Sequence, residues 1–302
     1  MKSIVLTDGG MGQELLRRSG AEPTPLWSAR VLIDEPDLVR DLHADFISAG
    51  ARVITINTYA ATPERLERDG ASGLFKTLQR RGIDLAKEAR DAVGIDVRIA
   101  GCLPPLFGSY APKLRSSFEE TLATYREIVA EQKDHVDLFL CETMASAEEG
   151  LAAATAASEA GLPIWVSWTL QDSLDGPRLR SGETIATAAA AIAHIKTEAK
   201  LINCSKPEVI SAGLNDLLAV GGSVGAYANG FTSIDALKHG GTVDVLEARR
   251  DLGPESYADF ALDWVSRGTA IVGGCCEVGP EHIATLHDRL LRAGYAISEV
   301  PS

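Results

Sequence analysis

Eight times along the chain, a short apolar run rich in β-branched residues gives way to a longer amphipathic stretch. The apolar runs fall at residues 4–6, 53–56, 97–100, 138–140, 164–170, 201–202, 224–227 and 270–272. The stretches between them have helical periodicity; in 37–49, for example, Leu38, Leu42, Phe46 and Ile47 share one face. A continuous strand–helix alternation of this count predicts an α/β fold, a (β/α)8 TIM-type barrel. The competing doubly wound sheet needs a glycine-rich phosphate loop after its first strand, and DGGMGQE at 8–14 does not match GxGxxG. No linker-like shift in composition divides residues 1–302, so they are read as a single domain. The longest irregular stretches, 103–116 and 171–182, read as loops over one end of the barrel.

A barrel of this kind places its active site at the C-terminal ends of its strands. Those ends carry Asp8, Tyr59, Cys102, Glu142, Asn203 with Cys204, and Cys275 with Cys276. The adjacent pair is the most unusual feature. Neighbouring residues on a strand point to opposite faces, so two thiols that converge need unusual backbone, which Gly273 and Gly274 are expected to supply. Adjacent cysteines bridge each other poorly. A paired metal ligand is therefore the better reading than two buried thiols, and Cys204, two strands away around the ring, supplies a third ligand. Three thiolates with an open fourth position describe a catalytic zinc site. Zinc holds a bound thiol as thiolate at neutral pH, which points to activation of a substrate sulfur.

The other rim residues have two readings each. Glu142, closing a buried run, is either a first-turn carboxylate of the next helix or an anchor for a substrate ammonium, and Asp8 has the same two readings. Cys141, next to Glu142, reads as a packing cysteine in the strand–helix layer, and Cys102 as a fourth ligand or a redox thiol. Trp27 and Tyr59 read equally as core aromatics or as site walls. The six histidines all fall outside strand ends.

Net charge is −13 and the pI about 5.0, which argues against nucleic acid or an anionic membrane as partner. No window has the apolar length of a membrane span, and the N-terminus has no basic segment leading into an apolar run. Five scattered cysteines in a chain of 302 residues do not make a disulfide framework, so a reducing cytoplasm is expected.

These motifs, in order, resemble the homocysteine S-methyltransferase family, which includes the S-methylmethionine- and betaine-dependent enzymes. DGGMGQEL at 8–15, HADFISAGARVITINTY at 43–59, DLFLCET at 137–143, INCSKP at 202–207, GAYANG at 225–230 and IVGGCC at 271–276 carry the resemblance over nearly the whole chain. The resemblance implies a (β/α)8 barrel with zinc on Cys204, Cys275 and Cys276. It implies that Glu142 binds the amino group of L-homocysteine. It also implies that Asp8, Gly9 and the amide of Thr143 hold the amino-acid part, with Trp27 and Tyr59 on the donor side.

Two departures stand out. AGCLPPLFGSYAP at 100–112 replaces a Ser-x-Gly-Pro pattern near the donor, and Glu277-Val278-Gly279 replaces a Gly-Thr-Gly type turn after the cysteines. The expected reaction moves a methyl group from a small onium donor to the zinc-bound thiolate of homocysteine, giving methionine. S-methylmethionine is the leading donor, with S-adenosylmethionine, betaine or another sulfonium as alternatives, and a different thiol acceptor on the same zinc site as a further one. Trp27, Tyr59 or Trp168 would form an aromatic wall for the cation. The rival readings are a zinc–thiol redox sensor and a zinc hydrolase. A homo-oligomer is compatible with the sequence.

Overall fold

In the computed structural model, the described residues are 2–20, 26, 28–111, 113, 116–237 and 245–301. Strands β1 (Ser3–Leu6), β2 (Val53–Thr55), β3 (Arg98–Leu103), β4 (Leu138–Met144), β5 (Ile164–Trp168), β6 (Ala199–Asn203), β7 (Ser223–Tyr227) and β8 (Ile271–Val272) pair in parallel, each with its sequence neighbour from β2 to β8. β8 then pairs with β1. Thr7 bridges Val53, with Asp8 N donating to Val53 O (3.0 Å) and Arg52 N to Leu6 O (2.8 Å), so the ring closes between β1 and β2. The expected barrel is present.

A ninth strand, β9 (Ala296–Ser298), was not anticipated. It pairs in parallel with Ser3–Val5, on the side of β1 where β2 meets the upper end. It follows the last helix, and its three residues are too few for period-2 alternation to show.

The helices are α1 (Met11–Ser19), α2 (Ser28–Asp34), α3 (Pro36–Ser48), α4 (Pro63–Arg68), α5 (Phe75–Val93), α6 (Phe118–Gln132), α7 (Ala147–Ser158), α8 (Ile185–Ala191), α9 (Pro207–Val220), α10 (Pro254–Arg267) and α11 (Pro280–Arg292). Their starts are written in the sequence. Proline occupies the first turn of five of them (α3, α4, α9, α10 and α11), where its missing N–H costs nothing. Ser117 and Glu120 form a capping box on α6, and Ser146 and Thr184 cap α7 and α8.

Alternation along each strand separates two apolar layers. Val5, Val53, Ala100, Leu138, Leu140, Trp165, Leu201, Tyr227 and Ile271 fill the barrel interior. Ile4, Leu6, Ile54, Ile99, Phe139, Cys141, Val166, Trp168 and Ile202 face outward into the larger core under the helices. This parity decides two expectations. Cys141 is buried in the outer layer, as the packing reading has it. Trp168 is also in the outer layer, where its indole nitrogen lies against Gly150 of α7. It is therefore not part of an aromatic wall over the site, and its parity along β5, shared with Ile164 and Val166, is the reason.

Candidate active site

The C-terminal rim of the barrel encloses a cavity of about 90 Å³. Asp8, Gly9, Tyr59, Glu142, Thr143, Cys204, Cys275 and Cys276 all line it. Trp27 lies outside the described residues.

The three cysteines come together. Their sulfurs all lie within 4.8 Å of one another, with Cys204 Sγ 2.7 Å from Cys275 Sγ and 4.0 Å from Cys276 Sγ. Around a tetrahedral zinc with Zn–S of about 2.3 Å, sulfurs sit about 3.8 Å apart. The Cys204–Cys276 spacing matches that arrangement, and an outward swing of about 1 Å by Cys275 completes it. The donor set of three thiols, free of disulfides, fits zinc.

The backbone brings the pair together differently from the sequence-based expectation. β8 ends at Val272, and Cys275 opens a tight turn in which Val278 N donates to Cys275 O (3.1 Å). The left-handed residue of that turn is Glu277, with φ 66°, and neither Gly273 nor Gly274 has a positive φ. The two glycines are needed for space: a Cβ on Gly273 would collide with the Thr7 hydroxyl, and one on Gly274 with the Val278 side chain. Gly10 serves likewise, since a Cβ there would lie 2.5 Å from Cys275 O. The loop after β1 thus packs directly on the cysteine turn. Tyr257 of α10 braces the same turn from behind: its hydroxyl donates to Gly273 O (2.6 Å) and accepts from Ala228 N (3.0 Å). Cys275 N donates to Ala228 O and Gly230 N to Cys276 O, both at 2.9 Å.

Cys204 follows β6 with φ 46°. Burial alone would raise its pKa, but hydrogen bonds from Cys275, Cys276, Tyr110 and Asn229 outweigh this and hold it well below the ordinary thiol range.

Glu142 lies within β4, not in the first turn of α7. Glu142 faces the cavity by alternation with Leu138 and Leu140, and a register shift between Cys141 and Met144, with Thr143 at φ 62°, turns Thr143 toward it as well. Burial pushes the Glu142 carboxyl up to about 7, although Cys102 Sγ, 3.2 Å away, donates to it and opposes the rise. Asp8 is also raised by burial, against the pull of the Thr55 amide that donates to it at 2.7 Å. Two buried carboxylates without a cationic partner in the cavity are costly when ionised. No lysine or arginine lines the cavity among the described residues. The site is therefore built to receive a positive charge.

The Thr143 amide, expected to hold substrate, donates to Asn203 Oδ1 at 3.0 Å, while Thr143 itself lines the cavity. Asn203 Nδ2 returns a bond to Thr143 Oγ1 (2.9 Å), and Ser167 Oγ also donates to Asn203 Oδ1 (2.7 Å). This network ties the ends of β4, β5 and β6 together and leaves that amide no free hydrogen. Cys102 is engaged with Glu142 and lies apart from the three-sulfur cluster, so it is not a fourth ligand.

Sequence reasoning missed Tyr110, Trp165 and Tyr227, which also line the cavity. Trp165 and Tyr227 had a readable signal. Trp165 shares its strand face with the polar Ser167, and Tyr227 sits at the end of its run. Tyr110 lies in an irregular loop and had none. Tyr59 stands at the rim with its hydroxyl 2.8 Å from Ser109 Oγ and the Arg65 guanidinium 5.2 Å from its ring centroid.

Known proteins are similar to this chain over most of its length. A family model described as homocysteine S-methyltransferase matches residues 5–290. The homocysteine S-methyltransferase of Escherichia coli K12 is 31% identical, over 95% of this chain and 96% of its own length. The selenocysteine Se-methyltransferase of Brassica oleracea var. italica is 28% identical, over 95% of this chain and 88% of its own. Among solved structures, the metallated form of the homocysteine methyltransferase MmuM from Escherichia coli superposes with a TM-score of 0.80 at 29% identity, covering 95% of this chain and 96% of that one. Barrel, rim and match together place this chain in the homocysteine S-methyltransferase family.

Proposed function

We propose that this protein transfers a methyl group from a small sulfonium donor, S-methylmethionine or S-adenosylmethionine, to the sulfur of L-homocysteine, giving methionine. The observation that carries this reading is a single cavity holding three convergent thiols beside two buried carboxylates. Homocysteine has the matching pair of groups, a thiol and an ammonium.

Cys204, Cys275 and Cys276 would hold zinc. When bound there, zinc supplies an open coordination position at which a substrate thiol ionises at neutral pH. Glu142 and Asp8 receive the substrate ammonium, and that contact offsets the cost of ionising both acids in a buried site. The Asn203 network fixes the β4 end, so Glu142 is presented in one orientation. Tyr59 and Tyr110, both partly exposed, line the cavity and limit water around the reacting sulfur. A net negative, lysine- and arginine-free cavity favours a cationic donor over a zwitterion such as betaine. The chain's contribution to rate is mainly orientation of sulfur and methyl carbon in line.

The test is methionine formation by zinc-loaded protein with homocysteine and, separately, S-methylmethionine, S-adenosylmethionine and betaine. Turnover with a sulfonium and little or none with betaine is expected. Absence of methionine with all three donors overturns the reading.

A further inference from the structure

Methyl transfer at this site raises a problem of selectivity. A donor that presents an electrophilic methyl group to the substrate sulfur also presents it to three protein sulfurs within 4.8 Å of one another. Attack by Cys204 would form a new S–CH3 bond as the donor's S–CH3 bond breaks. The electron pair would leave with the donor as a neutral thioether, and Cys204 would become an uncharged thioether and a poor ligand.

Cys204 is the cysteine that a side-chain hydroxyl covers: the Tyr110 hydroxyl stands 3.1 Å from its sulfur. When Cys204 ligates a metal it is a thiolate without a hydrogen, and a phenol is protonated at neutral pH, so the hydroxyl then donates. The residue before Tyr110, Ser109, bonds the hydroxyl of Tyr59, and all three residues line the cavity and are partly exposed, so Tyr110 stands on its solvent-facing side.

Tyr110 is held there by its backbone and by Arg180. Its own backbone is left-handed, with φ 62°, a conformation that non-glycine residues adopt at a cost. The Arg180 guanidinium lies 5.1 Å from its ring centroid, and Arg180 is itself bonded to Asp172 at 3.1 Å. Among the described residues only Tyr110, Thr143, Cys204 and Glu277 are non-glycine residues with positive φ, and each lines the cavity or directly follows a residue that does.

From this geometry we propose that Tyr110 is a shielding residue. It occupies the Cys204 lone pair on the solvent-facing side and so directs methylation to the substrate sulfur. The proposal rests on the methyltransferase reading above.

The experiment compares zinc-loaded wild type and Tyr110→Phe, which keeps the ring and its Arg180 contact and removes only the hydroxyl. Each is incubated without homocysteine with iodomethane, which needs no donor site, and in parallel with S-methylmethionine. Peptide mass mapping follows methylation at each cysteine, and released zinc is measured alongside. Methylation of Cys204 about tenfold faster in Tyr110→Phe, as loss of one charge-assisted hydrogen bond would give, is expected. Cys275 should be unchanged and zinc should be released in step. Equal rates at Cys204 with iodomethane, or an equal rise at all three cysteines, overturns the shield. Methionine formation by wild type is scored separately, so failure of the assigned reaction is distinguishable from failure of the shield.

Discussion

Cys102 Sγ donates to Glu142 Oε1 across 3.2 Å, joining the ends of β3 and β4 at one carboxylate. The thiol is buried and its own pKa is pushed well up by burial and by Glu142, so it stays a donor. It is one of the few groups that favour the ionised form of Glu142.

Cys102→Ala should therefore raise the Glu142 pKa further, by roughly half to one unit for one lost hydrogen bond. On the proposed function, homocysteine binding needs the carboxylate. The midpoint of kcat/KM against pH should move to higher pH in Cys102→Ala and return toward wild type in Cys102→Ser. An unmoved midpoint in the alanine variant would show that the thiol only fills space.

Glu142 itself should display a conflict between stability and function. Its folded-state pKa, about 7, is above the ordinary 4.5. A carboxyl raised on folding gives its full stability below the unfolded pKa and loses it as pH rises through the folded one. Above pH 7, ionising the free site should cost on the order of 3 kcal/mol. Glu142→Gln removes that cost while keeping an acceptor for Cys102. Its unfolding free energy should match wild type near pH 4, exceed it progressively from about pH 4.5 to 7, and stay above it at pH 8. Its kcat/KM for homocysteine should fall by about a hundredfold or more, as for a lost charge-assisted contact. Denaturant melts at a series of pH values, with parallel kinetics, decide the matter.

The ligand assignment is open to direct measurement. Replacing one of three thiolates should weaken zinc by more than the ten- to hundredfold that loss of a supporting partner costs. Cys204→Ser and Cys276→Ser should both elute substoichiometric in zinc by elemental analysis, whereas Cys141→Ser, in the outer layer, should keep it. A Cys276 variant that retains one zinc per chain is incompatible with the assignment. Chelation of wild type should abolish turnover, and added zinc should restore it.

The barrel was legible because its strands are continuous apolar runs and its helices start at prolines and capping residues. Strand ends in such a barrel must share a rim, and so Asp8, Glu142 and Cys204 could be brought together without coordinates. How every residue turns inward was not all legible. Glu142 follows Leu138 and Leu140 onto the inner face by plain alternation, but Thr143 reaches the cavity through a register shift and Cys276 through a turn whose left-handed residue is Glu277. The last two are single-residue departures from period 2, which apolar patterning does not encode. The glycines before the cysteines suggested torsional freedom, but the constraint they meet is steric. Trp168 fails for a related reason: composition marks an aromatic, and only its parity with Ile164 and Val166 shows which layer it enters.

The turn at Glu277 yields the last prediction. Its φ of 66° is a conformation that costs an ordinary residue about 1 kcal/mol and glycine none. Against that, Gln13 Nε2 donates to Glu277 Oε1 at 3.1 Å, a half-buried contact that links α1 to the cysteine turn. Glu277→Gly relieves the strain, loses this bond and adds unfolded-state entropy. These effects nearly cancel, so stability should change by less than about 1 kcal/mol, with zinc retained. Glu277→Val loses the same bond and places a β-branched residue at positive φ, so it should destabilise by about 2 kcal/mol and lower zinc occupancy, because the turn carries Cys276. Thermal melts and zinc analysis of the two variants side by side separate backbone strain from the carboxylate's own charge. Equal losses in both would assign the effect to the carboxylate and not to the turn.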